Sequence, residues 1–251
     1  MSFEGRVAIV TGAGSLRGIG RGIALCLAKK GADIVVADVN LDGAKAVAEE
    51  IRSLGRKALA IQLDVTDVVS VDAMVELTLK EFKKVDILIN NAGITQPIKT
   101  IDMLVEDFER IIDVNLKGTF ICSKAVLKPM IEKKYGRIVN MSSVSAKRGG
   151  GVYGGSHYSA SKAGVLGFAK ALAREVVEYG ITVNSVAPGL VDTDIRVGLS
   201  AEAERATWEN IPMKRPATVN EIAETVAFLA SDEASYITGE EIDINGGSHM
   251  D

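Results

Sequence analysis

The stretch VAIVTGAGSLRGIG, residues 7–20, runs from an apolar β-branched segment straight into a glycine-rich turn, and residues 21–31 continue with the pattern of an apolar helix. Glycines at such a turn let the backbone approach a pyrophosphate, whose charge then lies at the amino end of the helix. An ordinary strand-to-helix turn is the alternative interpretation. The position at the first strand favours a nucleotide-binding unit in which Gly12, Gly18 and Gly20 lie against the phosphates.

Asp38, at the end of the next strand-like segment, indicates which nucleotide is bound. Its carboxylate can accept hydrogen bonds from an adenosine ribose and repels a 2′-phosphate, so NAD is expected and NADP is disfavoured. Arg17 argues the other way, because a guanidinium in the turn can pair with a 2′-phosphate; alternatively it is a solvated surface side chain. Asp38 carries more weight, since the phosphate would lie almost on top of its carboxylate.

Seven short apolar segments, each followed by a longer segment of helical period, predict an α/β fold. Because these segments are apolar throughout, we expect strands covered on both faces. The expected architecture is a single Rossmann-type doubly wound domain over residues 1–251, with about seven parallel strands and helices on both faces. Residues 190–217 follow a strand's carboxyl end and are expected to form a substrate lid. The predicted strands are 7–10, 33–38, 58–65, 86–91, 137–143, 181–188 and 241–246.

Composition excludes several classes of protein. The 29 Lys+Arg against 33 Asp+Glu give a net charge of -4, so nucleic acid is not an expected partner. Cys26 and Cys122 lie in apolar helical segments, which favours buried thiols over disulfides. The chain starts without a signal-like segment and lacks the ~18 consecutive apolar residues of a membrane span, so a cytoplasmic protein is expected. With only His157 and His249 as histidines, no metal site is expected.

Tyr158 and Lys162 stand four residues apart in a helical segment, so both side chains emerge on one face. An ammonium beside a phenol lowers the pKa of the phenol, as a proton-transferring group requires. On its own, a tyrosine followed by a lysine four residues later more often has a structural role than a catalytic one. Four further motifs accompany it, and they are Asn115 in IIDVNLKGTF, Ser142-Ser143 after RIVNM, the turn Asn90-Asn91-Ala92-Gly93, and Pro188-Gly189 after ITVNSVA.

Together these motifs resemble the classical short-chain dehydrogenase/reductase family, and the resemblance covers essentially the whole chain. It is closest to the 3-oxoacyl-(acyl-carrier-protein) reductase-like members, notably in residues 161–176, 180–189 and 227–240. The resemblance implies a metal-independent oxidoreductase, assembled as a homotetramer, that interconverts a secondary alcohol and a ketone by hydride transfer with NAD(H). It does not fix the substrate, because one fold hosts many functions.

The resemblance also implies a role for each catalytic residue. Tyr158 is expected to be the general acid/base, Ser143 the hydrogen-bond partner of the substrate oxygen, with Ser142 as its rival. Lys162 is expected to hold the nicotinamide ribose and keep Tyr158 acidic, and Asn115 to anchor a water that continues the proton path.

Further cofactor contacts follow from the resemblance, with Asp64 at the adenine, Asn91 at the adenosine ribose, Ile19 beside the pyrophosphate, and Val191 and Thr193 at the carboxamide. Alternatively, Asp64 caps the following loop and Asn91 locks a strand end. The expected cofactor-binding set is Gly12, Arg17, Gly18, Ile19, Gly20, Asp38, Asp64, Val65, Asn91, Ala92, Gly93, Tyr158, Lys162, Pro188, Gly189, Val191 and Thr193.

The chain departs from the family pattern at two places. Five residues separate Gly12 from Gly18 where three are usual, so the turn is expected to be longer. Fifteen positions separate Ser143 from Tyr158 where about thirteen are usual, so the intervening glycine-rich segment is expected to shape the substrate pocket.

Three functions stay open at this point. The first is NAD-dependent turnover of a free secondary alcohol or ketone, expected to match or exceed turnover of a carrier-bound thioester, because Glu178-Tyr179 stands where carrier docking favours a cation. The second is a 3-oxoacyl-(acyl-carrier-protein) reductase, for which Lys133, Lys134 and Arg137 offer a basic patch or merely a solvated helix end. The third is a catalytically silent NAD-binding redox sensor, against which the intact catalytic set argues.

Overall fold

The computed structural model describes residues 1–150, 154–193, 205 and 207–250. The seven strands that it describes form one parallel sheet in the order β3-β2-β1-β4-β5-β6-β7. This order reverses between β1 and β4, as in a doubly wound Rossmann sheet, and it confirms the fold class predicted from the sequence. The strands are β1 Val7–Thr11, β2 Asp33–Asp38, β3 Ala58–Gln62, β4 Ile87–Asn90, β5 Gly136–Met141, β6 Ile181–Pro188 and β7 Glu241–Ile244.

Helices connect successive strands, since a parallel neighbour cannot be reached by a tight turn. Within the described residues the α-helices are α1 Ile19–Lys29, α2 Leu41–Ser53, α3 Val68–Phe82, α4 Val105–Ile112, α5 Gly118–Lys133, α6 Ser145–Arg148, α7 Ser156–Val176 and α8 Val219–Leu229. No helix among them is long and apolar enough to cross a membrane.

Helices cover both faces of the sheet, as the apolar strand segments predict. Along β1, Ala8 and Val10 pack on one face with residues of α1, α2 and α8. Ile9 points to the other face, where residues of α3, α5 and α7 cover it. Successive strand residues thus enter opposite halves of the core, and all five residues of β1 are buried.

Capping side chains fix where three helices begin. Asn40 accepts a hydrogen bond from the Gly43 amide at the start of α2, and Asp67 accepts one from the Val69 amide at the start of α3. Thr218 and Glu221 form a reciprocal capping box at α8. Local sequence therefore fixes the crossovers that bring the strand ends to the functional edge.

The amino edge of the sheet buries an acid among cations. Asp86 is fully buried before β4, accepts a hydrogen bond from the Val7 amide at 2.8 Å, and lies 3.3 Å from Nζ of Lys84. Lys133, at the end of α5, also bonds its carboxylate. Arg6 lies 3.8 Å away. The cluster joins β1, β4 and α5 at their base.

Two of the three residues expected to form a basic patch, Lys133 and Arg137, pair with acids, whereas Lys134 is exposed. Lys133 is engaged by Asp86, and Arg137 is buried at the start of β5 with its guanidinium 3.2 Å from Asp232. These residues also lie at the amino edge, whereas the strand ends that carry the expected site lie at the carboxyl edge. Pairing with acids that are distant in sequence is the physical reason for the correction.

Part of the expected lid and of the glycine-rich segment lies outside the described residues, namely 194–204, 206 and 151–153. The lid over 190–217 stays a prediction. Within its described part, Val191 makes a parallel bridge with Ala217, which ties the two ends of the segment together.

Candidate active site

The site lies where the strand order reverses, at the carboxyl ends of β1 and β4. Gly12 has φ +65, a conformation that favours glycine, and a Cβ there would lie 2.6 Å from the Cα of Ala92. A Cβ at Gly20 would lie 2.4 Å from the carbonyl oxygen of Gly12. The two turns and the start of α1 therefore touch through bare backbone at the switch point, which is where ligands bind in doubly wound sheets.

The start of α1 is suited to an anion. Its N-cap is Gly18, so no capping side chain covers the first amides of the helix. Ile19 and Gly20 follow directly in the first turn. Exposed amides at a helix start together with the helix dipole favour a phosphate group, so these residues fit the pyrophosphate of a dinucleotide.

Asp38 is fixed at the glycine-rich turn by two backbone amides. Its Oδ2 accepts from the Gly14 amide at 2.7 Å and its Oδ1 from the Asn40 amide at 2.9 Å. A Cβ at Gly14 would lie 2.8 Å from Cγ of Asp38, so this turn is built around the carboxylate. The guanidinium of Arg17, in the same turn, lies 3.7 Å from the carboxylate of Asp192 after β6.

The side chain of Ser143, in the segment that follows β5, lies near the phenol of Tyr158 and acts to lower its pKa. Ser142 is engaged differently, because its hydroxyl donates to the carbonyl oxygen of Lys162 at 3.0 Å. The structure thus brings Ser143, rather than its neighbour, to the tyrosine hydroxyl.

Lys162 is buried, and its Nζ donates to the carbonyl oxygen of Met141 at 2.7 Å. Burial lowers the pKa of Lys162 to about 8. Its Nζ lies 5.9 Å from the centre of the Tyr158 ring. A Cβ at Gly93 would lie 3.3 Å from this Nζ, so the turn after β4, β5 and α7 all converge on the ammonium.

The pKa of Tyr158 differs from the sequence expectation. Burial raises it, and the side chain of Ser143 only partly opposes that rise. The expected lowering by Lys162 is not found, because the ammonium lies on the ring side at 5.9 Å and is bonded to Met141. Desolvation of the phenolate is therefore the stronger effect in the protein alone.

Asn115 sits in a single π-helical turn, Asp113–Lys117, between α4 and α5. It is fully buried, and its side chain accepts from the Ile94 amide at 2.8 Å while donating to the Ile94 carbonyl oxygen at 3.0 Å. It also donates to the hydroxyl of Ser161 at 3.0 Å. Sequence reasoning missed both the π-helical turn and Ser161, and the short IIDVNLKG segment carries no periodicity that signals them.

The side chains of two residues expected to contact the cofactor form hydrogen bonds within the protein. Asn91 donates from its side-chain amide to the carbonyl oxygens of Thr11 and Gly12, at 2.9 and 2.8 Å. Asp64 accepts from the amide and hydroxyl of Thr66. Both arrangements match the structural alternatives given above, so their cofactor roles stay predictions.

The other expected cofactor residues lie along the same edge. Val65 is buried against Gly118 at the start of α5, and Ala92 touches Gly12. Pro188 ends β6, and Gly189, Val191 and Thr193 follow it. Among the described residues, no group of three His, Cys, Asp or Glu side chains could hold a metal ion.

A family model described as enoyl-(acyl carrier protein) reductase matches residues 12–249. The chain belongs to the short-chain dehydrogenase/reductase family. Among relatives of this short-chain reductase, 3-oxoacyl-(acyl-carrier-protein) reductase of Escherichia coli (strain K12) is 45% identical over 250 residues and covers 100% of both chains. The enzyme of that name from Synechocystis is 43% identical over 251 residues, with 99% of both chains covered.

A solved structure agrees with these relatives. The crystal structure of a short-chain type dehydrogenase/reductase from Mycobacterium marinum has a TM-score of 0.94 and 35% identity, covering 100% of this chain and 98% of that chain. The family resemblance stated from the motifs is therefore confirmed, and this short-chain reductase is an oxidoreductase of a family that uses a nicotinamide cofactor.

We expect Lys162→Met to be more stable than the wild type at pH 7 although it removes an active-site residue. The fall in the Lys162 pKa from 10.5 to about 8 corresponds to about 3 kcal/mol of unfavourable burial, less about 1 kcal/mol for the lost hydrogen bond. Between pH 8 and 10.5 the unfolded chain holds more protons at this residue than the folded chain, so wild-type stability rises with pH there. Urea unfolding at pH 7, 8.5 and 9.5 should show that the difference in unfolding free energy between Lys162→Met and the wild type becomes smaller as the pH rises.

The matched control is Lys170→Met, since Lys170 is an exposed residue of the same helix. Its stability difference from the wild type should be small and should not depend on pH. A Lys162→Met difference that stays constant between pH 7 and 9.5 would contradict the assignment of a buried ammonium.

Proposed function

We propose that the protein is a 3-oxoacyl-(acyl-carrier-protein) reductase that uses NAD(H). The single observation that carries this proposal is the 45% identity, over the full length of both chains, to 3-oxoacyl-(acyl-carrier-protein) reductase of Escherichia coli. From the sequence alone, a free secondary alcohol or ketone is the expected substrate, and this function is the alternative. The comparisons support it better than that first choice.

The proposed reaction uses side chains that lie close together in the structure. When bound, the nicotinamide supplies or accepts the hydride at the substrate carbon. In reduction, Tyr158 gives its hydroxyl proton to the carbonyl oxygen as that carbon gains the hydride, and the ketone becomes a secondary alcohol. Ser143 donates a hydrogen bond to the same oxygen and stabilises the charge that develops there.

Lys162 and Asn115 complete the proposed proton path. The ammonium of Lys162 is proposed to bind the nicotinamide ribose and to make Tyr158 more acidic once the ribose hydroxyls and substrate replace bulk water. Asn115 holds the turn after β4 against α7 through Ile94 and Ser161. We propose that a water anchored there returns the proton from Lys162 to solvent.

NAD(H) is proposed over NADP(H) because of the position of Asp38. Its carboxylate is bonded to the Gly14 amide inside the glycine-rich turn. A 2′-phosphate on the adenosine ribose would meet a fixed negative charge there. The guanidinium of Arg17 lies 3.7 Å from the carboxylate of Asp192, which partly balances the charge that argues for NADP(H).

A homotetramer in the cytoplasm is proposed as the working form. Leu104, Val105, Phe108 and Phe120 are exposed apolar side chains on or beside α4 and α5, which supports their burial against other copies. Both cysteines are free and buried, which suits a reducing compartment.

The second candidate function is an NAD-dependent dehydrogenase of a free secondary alcohol. Asp38 favours it, because a cofactor without the 2′-phosphate commonly serves oxidation. The pairing of Lys133 and Arg137 with acids also weakens the basic patch that would dock an acidic carrier.

Tyr158→Phe should abolish most turnover and leave NADH binding nearly unchanged, because only the proton-donating hydroxyl is removed. General acid/base groups contribute typically about 10²–10⁴-fold, so kcat should fall by that factor. Steady-state rates and NADH fluorescence titration measure the two effects. Tyr236→Phe, at a fully exposed tyrosine, is the control and should behave as the wild type. A Tyr158→Phe protein with half of the wild-type kcat would refute the assignment.

The wild type should prefer NAD(H) to NADP(H) by kcat/KM, and Asp38→Ser should shift the ratio toward NADP(H) by about tenfold or more, because a like-charge clash is removed. The control is Asp42→Ser, at an exposed carboxylate on α2. A wild-type preference for NADPH would show that the Asp38 argument is wrong.

The substrate assignment is tested with acetoacetyl groups on an acyl-carrier protein, the same group on a small thiol, and a panel of keto-sugars, polyols and cyclic ketones. We expect kcat/KM to be highest for the carrier-bound group. If a free ketone or alcohol matches it, the second candidate function replaces the first.

A further inference from the structure

We infer that Gln96 and His157 form a clamp that positions Tyr158 for proton transfer. The inference rests on the proposed function, because that function gives Tyr158 the role of proton donor. The clamp consists of the Gln96 side chain, the His157 ring and the glycine pair Gly154-Gly155. Neither Gln96 nor His157 needs to touch the substrate, so both are positioning residues.

His157 directly precedes Tyr158 in α7 and is fully buried. Its Nε2 lies 3.5 Å from Oε1 of Gln96, at the long end of the hydrogen-bond range. Its Nδ1 has no hydrogen-bond partner in the part of the chain that the structure describes. A buried imidazole held through one nitrogen beside the proposed proton donor has no part in the chemistry assigned so far.

The partners of Gln96 decide which nitrogen of His157 carries the proton. Oε1 of Gln96 accepts from the Arg110 guanidinium at 3.0 Å, and its Nε2 donates to Oδ1 of Asp107 at 2.9 Å. Arginine only donates and a carboxylate only accepts, so the orientation of the amide is fixed. His157 therefore faces an acceptor and donates through Nε2.

The backbone of Gly155 lies between the loop after β4 and the histidine ring. Its amide donates to the Gln96 carbonyl oxygen at 3.1 Å. A Cβ at Gly155 would lie 2.5 Å from the carbonyl oxygen of Ile98 and 3.1 Å from Nδ1 of His157. Gly155 is thus hydrogen-bonded to the loop, and its Cα faces both the Ile98 carbonyl and the imidazole.

Gly154, the neighbour of Gly155, packs against the ring of Tyr158. A Cβ at Gly154 would lie 2.5 Å from Cδ1 and 2.9 Å from Cγ of Tyr158, so the ring rests directly on the Gly154 backbone. The loop itself is anchored at Ile94 by Asn115, through hydrogen bonds of 2.8 and 3.0 Å. Contacts from α4 and the loop therefore set the place of the ring.

Loosening this clamp should affect proton transfer more than binding. Displacement of a reacting group by about 1 Å can reduce a rate by about 10²-fold. The dinucleotide is expected at the glycine-rich turn after β1, whereas the hydrogen bonds of the clamp run to α4 and to the loop that contains Gln96. A positioning role thus predicts a loss in kcat with unchanged NADH affinity.

The experiment compares three variants of the full chain. His157→Phe keeps a ring without a donor, Gln96→Leu removes the acceptor, and His157→Gln restores an amide donor near the position of Nε2. The first two should lower kcat about ten- to a hundredfold, leave the dissociation constant for NADH unchanged, and shift the pH profile of kcat. His157→Gln should recover most of the wild-type kcat.

Two glycine variants provide a matched pair on the same helix and its start. Gly155→Ala should reproduce the kcat loss, because its Cβ meets Ile98. Gly167→Ala in α7 places its Cβ in open space and should leave kcat unchanged. The melting temperatures of all variants distinguish a loss of folding from a loss of positioning. If His157→Phe does not fold, Gln96→Leu tests the inference in its place.

A double variant, His157→Phe with Gln96→Leu, completes the test. Its kcat should fall no further than that of the more damaged single variant, since both act through one contact. The inference is overturned if the single variants lower only the melting temperature and keep the wild-type kcat and pH profile, or if their effects multiply. Retained turnover in Tyr158→Phe would overturn the proposed function, whereas an inactive Tyr158→Phe with fully active clamp variants would overturn only the clamp.

Discussion

The site depends on one buried cation. Lys162 keeps its ammonium out of water with the carbonyl oxygen of Met141 as its bonded partner, and burial lowers its pKa to about 8. Such a charge is unfavourable for folding, so the surrounding structure must hold it in place. The hydroxyl of Ser142 fixes the backbone of Lys162, and the bare backbone of Gly93 makes room for Nζ. Strand β5, the turn after β4 and helix α7 meet at this point.

The sequence predicts the strands and helices well because the patterns that indicate them are local. Apolar runs in a parallel sheet and caps such as Asn40 or Thr218 depend on neighbouring residues, and the strands lie within a few residues of their predicted bounds. The sequence also predicts that glycine is needed at Gly12 and Gly20, but it gives only one of the two reasons, the approach of a phosphate. Both positions are crowded by backbone in addition to facing the expected phosphates.

The rest depends on residues that are distant in sequence. The π-helical turn at Asn115 is stabilised by Ile94 and Ser161, which no local pattern connects. Lys133 and Arg137 look like surface cations in sequence, but their acids lie 47 and 95 residues away. Burial of a tyrosine depends on the whole fold, so the direction of its pKa could not follow from spacing to Lys162.

The two edges of the sheet bury charge in opposite ways. At the amino edge, Asp86 has Lys84, Lys133 and Arg6 around it, so its charge is compensated and the cluster ties elements together. At the carboxyl edge, among the described residues, Lys162 has no carboxylate within ion-pair distance. Nearby opposite charges offset the desolvation cost of a buried charge, whereas an uncompensated charge is available to bind an electron-rich ligand or to change the pKa of a neighbouring group. This contrast separates the structural cluster at Asp86 from the candidate functional cluster at Lys162.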